Sequence, residues 1–91
     1  MDRIQAMQMF MRVAEAGSFV RAAETLSLPA STVTSTIKNL EKYLKVRLLN
    51  RTTRRVSLTP EGMQYLAQCR EILALIEHSE STLSESVARP Q

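Results

Sequence analysis

The chain has 91 residues, with two glycines, 4% aromatic residues, one histidine and one cysteine, Cys69. This length fits one domain, whose small core usually needs reinforcement by a partner, a metal or a disulfide. One cysteine and one histidine exclude an internal disulfide and a zinc site built from thiolates and imidazoles. The few glycines and aromatic residues favour a mostly helical domain. With a metal and a disulfide excluded, we expect reinforcement by a second copy of the chain. A lone cysteine fits the reducing cytoplasm.

The formal charge of +3 is unevenly distributed along the chain. Residues 45–55 carry five cations and no acid, whereas residues 1–44 net +1 and residues 56–91 net −3. Such a cationic stretch attracts a polyanion such as DNA, although taken alone it fits a solvated loop equally well. No apolar run approaches the ~18 residues that span a bilayer, and the N-terminus does not resemble a signal peptide, so no membrane partner is expected.

Capping residues predict two helices in the first part of the chain. Asp2 and Gln5 have the spacing of a capping box, and apolar residues then recur at helical spacing up to Gly17, which suits a helix end. Ser18 can cap a short second helix that runs to about Leu26.

A third helix is predicted over residues 29–44, with Pro29 in its first turn. One face is apolar, with Val33, Ile37, Leu40 and Leu44. The opposite face carries short hydroxyl side chains and lysines: Ser31, Thr32, Thr34, Ser35, Lys38 and Lys42. Because serine and threonine cost a helix roughly 0.5 kcal/mol each relative to alanine, this face indicates a helix that must fit into a groove.

The second half of the chain predicts a hairpin and a long helix. Residues 46–51 and 54–58 read as two strands joined around Thr52 and Thr53, with a cationic tip. Thr59, Pro60 and Glu61 then form a strong helix start, and that helix can run to about Val87, roughly 45 Å.

Apolar residues of this last helix follow a heptad spacing that predicts a homodimer. The seam residues are Leu66, Cys69, Leu73, Ile76 and Leu83, with Gly62 and Glu80 as imperfect positions. The alternative is packing on the first helix of the same chain, which accounts for Met63 and Leu66 but leaves Ile76 and Leu83 exposed to water.

Taken together, these elements predict a mainly α fold: a winged helix-turn-helix of three helices plus a β-hairpin wing, followed by a long dimerisation helix. Five segments carry a family resemblance: GSF at 17–19, RAAETL at 21–26, STVT at 31–34, IKNLE at 37–41 and LLNRTTRRVSLTPEG at 48–62. In order and spacing the chain resembles the DNA-binding domain of LysR-type transcriptional regulators, with its linker helix.

The resemblance implies a bacterial transcription regulator in the cytoplasm, at the nucleoid. It implies a DNA-binding domain over residues 1–58, a linker and dimerisation helix over 59–88, and the start of a hinge at 89–91. The implied partners are double-stranded DNA, as an interrupted palindrome in a promoter, and a second copy of the chain, with tetramers at full length. No cofactor is expected in this chain, because the small-molecule effector would bind a C-terminal domain that is absent from it.

The resemblance also assigns DNA contacts. Bases in the major groove would be contacted by Ala30, Ser31, Thr34 and Ser35, with Thr32 and Lys38 beside them. The DNA backbone and the minor groove would be contacted by Ser18, Val20, Arg21, Arg51, Thr53, Arg54 and Arg55, with Arg54 in the minor groove.

Three positions depart from the family pattern. Ser35 stands where many members have a guanine-binding arginine, Ala30 where many have glutamine, and Lys45 where glycine usually follows the recognition helix. The first two departures predict that phosphate contacts and DNA shape carry more of the specificity than usual.

Other functions fit the sequence less well. A protein-interaction module with a winged-helix fold and a self-contained winged-helix repressor of the MarR type stay open as alternatives. An enzyme is not expected, since there is no glycine-rich phosphate loop and no G-x-S-x-G motif, and Cys69 and His78 lie nine residues apart on one helix.

Overall fold

The computed structural model describes residues 1–51 and 55–88. Its elements in chain order are α1 (Arg3–Ala16), α2 (Phe19–Leu26), α3 (Ala30–Leu44), β1 (Leu49–Arg51), β2 (Val56–Leu58) and α4 (Pro60–Ala88). This is the mainly helical, winged helix-turn-helix order that the sequence predicts. The predicted contacts of Thr53 and Arg54 lie outside the described residues, as does the hinge at 89–91.

Local capping interactions define the ends of α1 and α2 as predicted. The Asp2 carboxylate accepts a hydrogen bond from the Gln5 amide at 3.1 Å, and the Ser18 hydroxyl accepts one from the Arg21 amide at 3.3 Å. Gly17 ends α1 in the left-handed conformation, at φ 68°, where glycine carries no steric penalty. The short turn between the two helices therefore follows directly from the residues at 17 and 18.

Helix α3 begins one residue later than predicted and ends at a strained position. Pro29 precedes the helix in an extended conformation, φ −62° and ψ 143°, and makes no side-chain cap. Lys45 ends the helix with a left-handed φ of 59°. The chain therefore keeps the helix ending that glycine favours, although an L-residue with a long side chain occupies the position.

The hairpin is shorter than predicted. Antiparallel pairing joins Leu49 to Leu58 and Arg51 to Val56, so residues 46–48 lie outside the ladder. The Leu48 amide instead donates to the Glu41 carboxylate at 2.8 Å, and the Leu48 carbonyl accepts from the Thr59 amide at 3.0 Å. These bonds satisfy the Leu48 backbone without a strand partner.

One hydrophobic core joins all the helices and the hairpin. Its largest fully buried side chains are Phe10, Ile37, Leu40, Leu48, Leu49, Val13, Val33 and Cys69. Burying each large aliphatic or aromatic side chain contributes about 1.5–3 kcal/mol. This core fixes α3 with Val33, Ile37 and Leu40 inward, so its hydroxyl-rich face points away from the core.

The start of α4 is anchored to the segment before the hairpin. Thr59 caps the helix, because its hydroxyl accepts from the Gly62 amide at 2.9 Å and donates to the Arg47 carbonyl at 2.5 Å. Gly62 is buried against Leu48: a Cβ at this position would lie 2.0 Å from the Leu48 carbonyl oxygen. Gly62 is therefore required for close backbone approach and is not a weak position in a dimer seam.

The prediction of the dimer seam was wrong at its first two positions. Leu66 is 8% exposed and Cys69 is fully buried, both within the core of their own chain. Leu73 is partly buried against the same core. A heptad stripe indicates that a helix face is covered but does not identify what covers it, and here α1 covers the first half of α4.

Candidate nucleic-acid interface

The polar face of α3 is open to solvent. Four of the predicted base-reading residues are exposed, namely Ser31, Thr32, Ser35 and Lys38. Thr34 is half-buried, and Ala30 is half-buried with contacts to the core. Because α3 carries no bulky side chain among residues 30–36 on this face, its N-terminal half can approach another surface closely.

Some hydroxyl groups of α3 form hydrogen bonds within the helix, whereas others on the exposed face do not. Thr36 donates to the Thr32 carbonyl at 2.9 Å, a local bond that satisfies its hydroxyl. Within the described residues, the Ser31 and Ser35 side chains make no hydrogen bond to protein. Each can therefore donate to or accept from an external partner.

A polar concavity lies between the start of α2 and the hairpin. It is lined by Gly17, Ser18 and Arg21 on one side and by Arg55 and Val56 on the other. Amide groups at a helix N-terminus carry partial positive charge and favour anions. The structure thus brings together predicted backbone-contacting residues from two distant parts of the sequence, with exposed Val20 on the adjacent turn of α2.

Arg51 has a structural role in addition to its predicted DNA contact. Its guanidinium lies 3.2 Å from the Glu41 carboxylate and 5.2 Å from the centre of the Phe19 ring. These contacts join β1 to α3 and to the start of α2. Arg51 therefore positions the hairpin relative to the recognition helix, and only part of its side chain remains exposed.

Glu41 is the residue of this region whose role the sequence analysis missed. Its carboxylate accepts from the Leu48 and Leu49 amides at 2.8 and 3.2 Å and pairs with Arg51. The available signal was that Glu41 is the only acid between residues 38 and 55. Its partners could not be identified from spacing, because the loop between α3 and β1 sets them.

The thiol and phenol of α4 belong to the core and not to the interface. Burial, together with neighbouring Cys69, raises the pKa of Tyr65 to about 12. Burial also raises the pKa of the Cys69 thiol, which favours the protonated, unreactive form. Cys69 is buried while His78 is exposed, so these two side chains do not form one site.

Comparison with known proteins identifies the family. Residues 4–63 match the family model described as "Bacterial regulatory helix-turn-helix protein, lysR family". The chain belongs to this family. The LysR resemblance that the sequence suggested is therefore confirmed, and the family is one of transcriptional regulators.

Relatives and solved structures agree with this assignment. An HTH-type transcriptional repressor of Pseudomonas aeruginosa (strain UCBPP-PA14) is 48% identical over 90 residues, which is 99% of this chain and 28% of the relative. CrgA, an HTH-type transcriptional regulator of Neisseria meningitidis, is 44% identical over 79 residues, 87% of this chain and 26% of the relative. The chain thus spans about a quarter of the length of these curated relatives.

Two DNA-binding domains solved as DNA complexes share the whole architecture. The BenM domain with catB site 1 DNA superposes with a TM-score of 0.92 at 27% identity, over 97% of this chain and 98% of that one. The CbnR domain with DNA gives 0.87 at 35% identity, over 94% and 98%. Within residues 1–51 and 55–88, no helix combines the length and the hydrophobicity of a membrane-spanning segment.

Proposed function

We propose that this chain binds double-stranded DNA sequence-specifically, as part of a homodimeric LysR-family transcription regulator. The exposed hydroxyl-and-lysine face of α3 carries the proposal, since it is the surface of a helix that fits the major groove. The BenM and CbnR domains, which share this fold, were solved in complex with DNA. Like other members of this regulator family, the protein would act at the nucleoid and would not be an enzyme.

Base reading is assigned to the first half of α3. Ser31, Thr32, Thr34 and Ser35 can donate or accept at several base edges, and the Ala30 methyl group can contact a thymine methyl. Lys38 can reach a guanine or a phosphate. Because this half of α3 has no arginine for bidentate contact with guanine, we expect few direct hydrogen bonds to base edges.

Backbone binding is assigned to the α2 start and to the wing, residues 49–58. The concavity lined by Ser18, Arg21 and Arg55 suits a phosphate, with Val20 packed against the sugar–phosphate edge. From the sequence alone, Thr53 and Arg54 extend this contact toward the minor groove. Arg51 contributes mainly by holding the wing in place through Glu41.

Dimerisation is assigned to a corrected set of α1 and α4 residues. Ile4, Ile72, Leu75 and Leu83 are 45%, 44%, 65% and 68% exposed, and Ile4 and Ile72 line an apolar groove together with Ile76. In this proposal residues 1–58 form the DNA-binding unit. The helix over 59–88 supplies the dimer contact after its first half has completed the core.

A salt titration tests DNA binding. The protein should bind a duplex selected from a random library. The logarithm of the affinity should fall linearly with the logarithm of the salt concentration, with a slope of about −0.9 per phosphate contact. Arg55→Ala should reduce the slope by about 1, whereas Arg70→Ala on the exposed surface of α4 should not. Failure to enrich any sequence, together with binding that is insensitive to salt, would contradict the proposal.

A further inference from the structure

Four exposed cations surround a concavity at the C-terminal end of α3. Lys38, Lys42 and Lys45 follow one another at helical spacing, and Arg47 lies in the next segment of chain. We call these four residues the α3 basic patch. Glu41 also lines the concavity, together with Val46.

Glu41 does little to neutralise the α3 basic patch. Its side chain is only 14% exposed, and its oxygens are used by Arg51 and by the Leu48 and Leu49 amides. Among the residues that the structure describes, none of the four cations of the α3 basic patch forms an ion pair. The α3 basic patch is therefore a concentration of like charge that an external anion would relieve.

The α3 basic patch continues the face that is proposed to read bases. Ser31, Ser35, Lys38, Lys42 and Lys45 occur at intervals of four, three, four and three residues, so they form one stripe along α3. Lys42 is 12 residues beyond Ala30, about 18 Å along the helix, whereas the major groove is about 12 Å wide. If the first turns of α3 lie in the groove, the last turns reach its phosphate edge.

We propose that Lys42, Lys45 and Arg47 bind phosphates of the duplex next to the base pairs that α3 reads. The inference rests on the proposed function and deepens it, because it adds a backbone contact that neither the α2 start nor the wing supplies. The contact lengthens the DNA segment that each protomer covers. It adds affinity for every sequence equally, since phosphates carry no base information.

A charge-neutral double variant, Lys42→Gln with Lys45→Asn, tests the inference. Asparagine tolerates the left-handed backbone at position 45, so the helix end is preserved without its charge. The matched control, Arg12→Gln with Arg70→Gln, removes the same charge from exposed positions on α1 and α4. Thermal unfolding of both variants verifies that they are folded.

The variant should lower the slope of log affinity against log salt by about 2, whereas the control should leave it near that of the wild type. Between 50 and 200 mM salt, wild-type affinity should therefore fall about tenfold more than that of the variant. Selected and unrelated duplexes should lose affinity by the same factor. Ethylation interference at the phosphates that Lys42 and Lys45 bind should disappear in the variant.

Three outcomes would overturn the inference. If the wild type binds its selected duplex with a steep salt slope but the variant behaves like the control, the α3 basic patch does not touch DNA, and the proposed function stands. If the variant changes the preferred sequence, these residues read bases instead. If the wild type binds no duplex, the proposed function fails as well, and an acidic protein surface becomes the fitting partner.

Discussion

At the scale of single residues, the end of α3 carries avoidable strain. Lys45 adopts φ 59°, which costs an L-residue about 1–2 kcal/mol relative to glycine. Lys45→Gly should therefore raise the free energy of unfolding by about 1 kcal/mol, after allowing for the greater entropy of glycine in the unfolded chain. Urea unfolding at a fixed protein concentration measures the change, with Lys45→Ala as a control that removes the charge but keeps the strain. Equal stability of the two variants would show that strain is not the cause.

A second residue-scale prediction concerns Gly62. Alanine favours a helix by about 1 kcal/mol over glycine, but the Leu48 carbonyl leaves no room for a Cβ. Gly62→Ala should therefore lower the unfolding free energy by about 1–3 kcal/mol, because the helix must shift away from Leu48. Gln64→Ala, at an exposed position two residues later, should be nearly neutral. A stabilised Gly62→Ala variant would disprove the close approach.

At the scale of elements, Glu41 links α3 to the wing. Hydrogen bonds to a charged group contribute about 1.5–3 kcal/mol, and glutamine can replace only part of this set. Glu41→Gln should lower the unfolding free energy by about 2 kcal/mol and should weaken hydrogen-exchange protection of the Leu48 and Leu49 amides. Glu24→Gln, on the exposed surface of α2, is the matched control. Unchanged protection at both amides would rule out the link.

Elements were predictable where their signals are local. The caps at Asp2, Ser18 and Thr59 act on amides three residues away, so sequence spacing locates them. The start of β1 was not predictable, because the Leu48 amide bonds to Glu41 seven residues earlier instead of to a strand. For the same reason, the sequence did not predict that Arg51 pairs with Glu41, ten residues away.

At the scale of the whole molecule, the heptad stripe of α4 is assigned two roles, core packing and the proposed dimer contact. Leu66 and Cys69 complete the core of their own chain, while Leu83, on the same stripe, remains exposed. Sequence periodicity could not separate these roles, since intramolecular and intermolecular packing impose the same spacing. The length of α4, 29 residues, explains the division: the helix extends well beyond the rest of a molecule that measures 58 × 26 × 21 Å.

This division predicts which substitutions separate the protomers. Ile72→Asp with Leu75→Asp should raise the dimer dissociation constant at least about tenfold, because charged groups would replace apolar contact area. Met63 is about as exposed as Leu75 but lies on another face of α4, so Met63→Asp should leave the dimer intact. Sedimentation equilibrium measures both. Dissociation by Met63→Asp alone would place the dimer contact on a different face.

The central claim is that the N-terminal half of α3, the start of α2 and the wing form one DNA-binding surface. The most direct test is backbone amide chemical-shift mapping of the ¹⁵N-labelled chain during titration with its selected duplex. We predict the largest shifts at residues 18–21, 30–38 and 49–57, with little change along residues 72–83 of α4. Shifts concentrated on α1 and α4, with α3 unchanged, would contradict the account.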